Sequence, residues 1–150
     1  MSRPDRIKHQ FVEFVPATLE PGTIYVSVEY ATCQHLCLCG CGEKVITPLT
    51  PTDWELTFDG ESISLDPSIG NWSFDCRSHY VIRKGRVRWA ASWSKEKIEA
   101  NRGRDRRRKA TYYRAADDEP SRRERLAAPE DDEPGVIWRA LARLGLRRRR

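Results

Sequence analysis

The sequence predicts a mainly β domain, a small sandwich or barrel of about six or seven short strands, with a charged C-terminal extension. Three observations predict it. Short alternating runs rich in β-branched and aromatic residues recur between Phe11 and Trp93. No long apolar run with a 3.6-residue period precedes residue 94. The charge divides the chain: residues 1–94 hold nine Lys and Arg against eleven Asp and Glu, while residues 95–150 hold eighteen against eleven. All five cysteines and all three histidines lie in the first part, which identifies residues 1–94 as the compact domain.

The run Thr23 to Tyr30 follows the turn pair Pro21-Gly22 and reads as a strand. Lys44 to Leu49 is a second, closed by Pro48 and Pro51. Trp54 to Phe58 alternates strictly, and Asp59-Gly60 joins it to Glu61–Leu65, a hairpin signal. His79–Arg83 and Arg86–Trp89, joined by Lys84-Gly85, read as a second hairpin. The stretch Asp66 to Trp72 holds Pro, Gly and Asn and reads as a loop between the hairpins.

Residues 95–135 read as a charged, largely disordered linker, with helix continuing over Lys95 to Asn101. Residues 136–150 read as an amphipathic basic helix, with Val136, Ala140 and Leu144 on one side and Arg139 and Arg143 on the other. Alternating acidic and basic runs favour a solvated tail over a nucleic-acid-binding one, although Tyr112-Tyr113 beside Arg107 to Lys109 leaves nucleic acid as a lesser reading. No segment approaches the ~20 apolar residues of a membrane span, and Met1 to Gln10 lacks an apolar signal core, so the expectation is a cytoplasmic protein. Extended disulfide scaffolds, integral membrane proteins and collagen-like chains are excluded as good readings.

The chemistry concentrates in His35, Cys37, Cys39, Cys41 and, thirty-five residues later, Cys76-x-x-His79. In a reducing compartment these thiols are poor disulfide candidates. Thiolate and imidazole donors suit zinc, which takes four of them. Gly40 and Gly42 let the chain turn sharply enough for closely spaced sulfurs to converge. His35, Cys37, Cys39, Cys41, Cys76 and His79 are thus six candidate ligands for four places, which makes the predicted fold zinc-containing. Cys33 is set apart as a packed or exposed thiol.

A hydrolytic zinc would need an open coordination position and a general base. Glu43 is the carboxylate nearest to the Cys37–Cys41 run; Asp75, Glu61 and Asp66 are further options. Ser68 and Asn71, on the loop before Cys76, are candidate substrate or oxyanion groups, as are Ser64 and Ser78. A Ser–His nucleophilic pair, such as Ser68 with His35, is the other chemistry these residues allow, though no Gly-x-Ser-x-Gly elbow is present.

His35 to Val45, Trp54, Ser64 to Trp72 and Cys76 to Tyr80 together resemble a small bacterial family of domains of unknown function, encoded beside ubiquitin-like conjugation genes. The resemblance covers roughly residues 20–93. It implies a peptidase that processes or deconjugates a ubiquitin-like protein, with metal on the Cys and His positions. The expected function is therefore a zinc-dependent hydrolase with a ubiquitin-like protein as substrate or partner, zinc-bound water as nucleophile and Glu43 as base. The rival is a zinc-stabilised adaptor without catalysis.

Overall fold

The computed structural model describes residues 3–118. The sheets and the site belong to one compact unit that ends at Tyr112. The expected helix over 136–150 and the linker beyond residue 118 lie outside the described residues.

The domain is mainly β, with eight strands in two four-stranded sheets. The first holds β1 (Lys8–Phe11), β2 (Thr23–Ser27), β3 (Thr32–Leu36) and β4 (Lys44–Pro48), in that order. β1 runs parallel to β2 and the other pairs are antiparallel. The second is an antiparallel meander of β5 (Glu55–Phe58), β6 (Ile63–Gly70), β7 (His79–Arg83) and β8 (Arg86–Trp89). Before entering β1 the chain pairs with β8: the Ile7 amide donates to Gly85 O at 3.0 Å and the Val87 amide to Asp5 O at 2.8 Å. The N-terminal segment thereby ties one sheet to the other. Ile24, Val26, Cys33 and Val45 from the first sheet and Ile63, Leu65, Ile69, Tyr80 and Ile82 from the second share one core.

Three strands differ from the expectations. β1 was not anticipated, because its KHQF sequence is polar and only its pairing with β2 makes it a strand. β3 was hidden because His35 read as a metal donor and Cys33 as a thiol set apart, packed or exposed, whereas both are fully buried strand residues. β6 runs on through the supposed loop to Gly70, and a register shift between Leu65 and Ile69 accommodates Pro67 within it. The Asp59-Gly60 connection has four residues rather than two: Asp59 Oδ1 accepts from the Glu61 and Ser62 amides at 3.0 and 2.7 Å.

α1 (Lys95–Asp118) is longer than the helix expected over Lys95 to Asn101. Ser94 caps it, its hydroxyl accepting from the Lys97 amide at 3.3 Å. Polar pairs one turn apart support it internally, such as Asn101 with Asp105 at 3.0 Å. Ile98 is buried, the Arg108 guanidinium donates to Thr52 O at 2.8 Å, and Lys109 Nζ lies 2.5 Å from Asp53. Among the described residues no helix is long and apolar enough to cross a membrane.

Candidate active site and thiol cluster

Residues 37–43 connect β3 to β4 as a tight loop. The Cys37 amide donates to Glu43 O at 2.7 Å and the Gly40 amide to Cys37 O at 3.0 Å. Gly40 and Gly42 have φ of 89° and 84°, a backbone region that side chains rarely tolerate. This winding brings the sulfurs of Cys37, Cys39 and Cys41 together. Cys76 reaches them from the turn between β6 and β7, where Asn71 N to Ser78 O closes the ends at 2.9 Å.

The four Sγ atoms lie within 4.8 Å of one another. Cys37–Cys39, Cys41–Cys76 and Cys37–Cys76 measure 3.4, 3.7 and 3.9 Å. A tetrahedron of thiolates around zinc, with Zn–S of about 2.3 Å, has edges of about 3.8 Å. The donor set and spacing therefore fit one tetrahedral metal ion, and none of these cysteines is in a disulfide. Burial pushes the Cys39 thiol up to about 12, helped by its Cys37 neighbour. Cys76 is pulled down to about 7: burial opposes ionisation, but the Ser78 amide and hydroxyl and the Cys39 and Cys41 thiols outweigh it.

The two histidines stand outside this group. His35 is buried between the sheets with Nε2 2.9 Å from Tyr80 Oη, and burial lowers its pKa to about 4, so it is neutral. His79 turns the other way. Ser78 and His79 are successive, so their side chains leave opposite faces of the chain. Ser78 Oγ lies 3.1 Å from Cys37 Sγ, while His79 Nε2 lies 2.9 Å from Ser68 Oγ. His79 Nδ1 lies 2.8 Å from the Ala91 carbonyl. A carbonyl can only accept, so the neutral ring carries its proton on Nδ1 and presents a bare Nε2 to the Ser68 hydroxyl.

Local sequence explains this pairing. Gly70 faces His79 across the ladder, and Ser68 sits where the register shifts. A Cβ on Gly70 would lie 2.4–2.7 Å from the Trp72 indole, so only glycine lets that ring rest on the backbone. From there Trp72 stands 5.0 Å from the His79 ring and Trp93 5.3 Å from it; the two indoles stack at 5.5 Å. His79 is 6% exposed. Both indoles, with Ser68 and His79, line a cleft of about 370 Å³ whose further wall is α1.

Asn71 does not present its amide to Ser68. Nδ2 donates to Ser78 Oγ at 2.9 Å and reaches Tyr80 Oη at 3.4 Å and Cys37 Sγ at 3.6 Å. It belongs to the buried network beneath the turn. The Glu43 carboxylate is exposed, and the residue serves the thiol loop through its backbone. Sequence reasoning identified Ser68 but not its partner His79, the Ala91 carbonyl or the flanking Trp93. A usable signal was the hairpin register, which puts Gly70 opposite His79 and so brings Ser68 to the same face.

The family model for the bacterial ubiquitination-like system serine protease (BubE) matches residues 11–90, and the chain belongs to that family. No curated protein and no solved structure matches it. The matched segment holds Ser68, His79 and the four clustered cysteines; it stops before Ala91, Trp93 and α1.

Proposed function

We propose that this member of the bacterial ubiquitination-like system serine protease family cleaves peptide bonds of a ubiquitin-like protein or its conjugates, with Ser68 as nucleophile and His79 as general base. The observation that carries this reading is the 2.9 Å contact of Ser68 Oγ with Nε2 of His79. As Oγ attacks the scissile carbonyl carbon, Nε2 takes its proton. The imidazolium that forms is steadied by the Ala91 carbonyl on Nδ1, and the Trp72 and Trp93 rings keep water from that side of it. Nε2–H then protonates the departing amine and leaves an acyl group on Ser68. Water attacks that ester with His79 again as base, which frees the acid and restores the hydroxyl. The cleft shares Asp53, Trp54, Pro67 and Arg108 with a groove of about 600 Å³, which gives an extended chain room beside Ser68.

Zinc in this reading is a clamp on Cys37, Cys39, Cys41 and Cys76: four thiolates complete its shell, and a bound ion supplies rigidity to the turn that carries His79. That arrangement favours serine chemistry over a zinc-bound water with Glu43 as base. A cytoplasmic location suits thiols that must stay reduced.

The decisive test is labelling by a fluorophosphonate, which reacts only with an activated serine. Modification of Ser68, abolished in Ser68→Ala and His79→Gln, is expected, together with loss of cleavage of a ubiquitin-like fusion protein from the same conjugation system. An unlabelled, folded and metal-loaded wild type would leave the adaptor reading in front.

A further inference from the structure

Beyond Trp72 the cleft meets a second cavity of about 120 Å³, and its lining is cationic: Arg77, Lys95 and Arg102 face the single acid Glu99. Trp72 and Arg102 border both spaces, so a chain lying against Ser68 and passing the Trp72 ring reaches these cations. Among the described residues none of the three forms a salt bridge; Arg77 spends one N–H on Trp93 O at 3.4 Å. The other basic groups of the cleft wall are already engaged, Lys109 by Asp53 and Arg108 by Asp105 and Thr52 O. Lys95 and Arg102 come from α1, outside residues 11–90 that the family model matches.

We propose that Arg77, Lys95 and Arg102 form a subsite that takes a carboxylate of the substrate polypeptide, which rests on the serine-peptidase reading of the same cleft. A carboxylate accepts charge-assisted N–H bonds from a planar guanidinium, whereas the matching amide offers one neutral acceptor and loses the Coulomb attraction. The space holds one carboxylate-sized group. α1 is thereby a specificity element, and its contacts to Thr52 and Asp53 hold it in register with Ser68.

The test is protection of Ser68 from a fluorophosphonate by pools of hexapeptides, all acetylated, at low salt. One pool carries Asp or Glu scanned through the six positions with an amidated end; the second carries Asn or Gln with an amidated end; the third carries Asn or Gln with a free C-terminus. Against the wild type, the acidic pool is expected to protect at about tenfold lower concentration than the second, roughly the worth of one charge-assisted hydrogen bond at a partly open site. Arg102→Gln, read against its own peptide-free labelling rate, should bring that ratio close to one, and Arg102→Lys should restore part of it. Preference for the third pool over the second, with the same dependence on Arg102, assigns the subsite to a terminal carboxylate instead of a side chain. Equal protection by all three pools, or a ratio that survives both Arg102→Gln and Lys95→Gln, overturns the subsite. Failure of the fluorophosphonate to label the wild type at all overturns the serine-peptidase reading, and the subsite with it.

Discussion

On one side of the turn that precedes β7, four sulfurs lie within 4.8 Å of one another. On the other side a hydroxyl and an imidazole stand at the edge of a cleft, held apart from neighbours by two indoles. Cys76 and His79, three residues apart, belong to different regions because the turn ends at Arg77, with φ of 42°, and Ser78 and His79 then leave opposite faces of the chain. The thiol region is built by loop winding and is completed from within. The cleft is built by strand register and is completed only by substrate. Residue type does not separate them: His79, three residues from a clustered cysteine, is turned away from the sulfurs and toward Ser68.

The largest effect that can break this division comes from its open side. Ser68→Ala and His79→Gln should each lower peptide cleavage by roughly a thousandfold or more. Metal content and melting temperature should stay at wild-type values; loss of metal in His79→Gln would instead move this histidine into the cluster. The complementary change, Cys76→Ser, should release the metal and lower the melting temperature by roughly 10 °C or more, because the free energy of such a site is folding free energy. Elemental analysis and thermal melts check both arms. Gly70→Ala acts between the regions: a Cβ there must displace the Trp72 indole from His79. Activity should fall by about tenfold or more with metal retained, since small displacements of a base are costly.

Smaller effects sharpen the comparison. The Asp53–Lys109 pair fixes α1, and burial of Asp53 is outweighed by Lys109 and Thr50, so its pKa lies below the ordinary carboxylate value. A depressed carboxylate contributes its stability above the unfolded pKa and loses it as pH falls through the folded one. Asp53→Asn should therefore cost less than about 1 kcal/mol at neutral pH, given the exposure of Lys109, and should blunt the acid loss of stability in urea titrations. Smallest of all, Glu43→Gln should change neither metal content nor activity beyond about twofold, because its carboxylate is exposed and only its backbone serves the loop. A hundredfold loss there would revive the zinc-bound water.

Much of the architecture was legible because it is written in local signals. The hairpin of His79–Arg83 with Arg86–Trp89 alternates cleanly around Lys84-Gly85, and it formed as expected. The cysteine spacing with its glycines announced a cluster of thiols, and Cys37, Cys39, Cys41 and Cys76 do come together. What stayed hidden depends on pairing at a distance. β1 exists because β2 lies beside it, and β6 continues past Pro67 because a shifted register absorbs it. Ser68 was visible as a substrate or oxyanion group and as one half of a Ser–His pair, but the histidine beside it is chosen by which residue of β7 stands opposite Gly70. His79 carried a ligand-like Cys-x-x-His spacing that pointed elsewhere, and His35, the partner weighed from sequence, is consumed by Tyr80. A backbone carbonyl leaves no trace in residue type.

That last property has an evolutionary side. The oxygen that orients His79 belongs to the main chain at Ala91, so no codon encodes it and no exchange of the Ala91 side chain deletes it. A catalytic triad with a carboxylate can be inactivated at three positions; the proposed Ser68–His79 pair has only two side chains open to that route. Damage to the third part must come through geometry, for example from proline at position 92, which restricts the residue before it. Any residue at position 91 supplies the same carbonyl oxygen, so no particular side chain is needed there to hold the His79 ring.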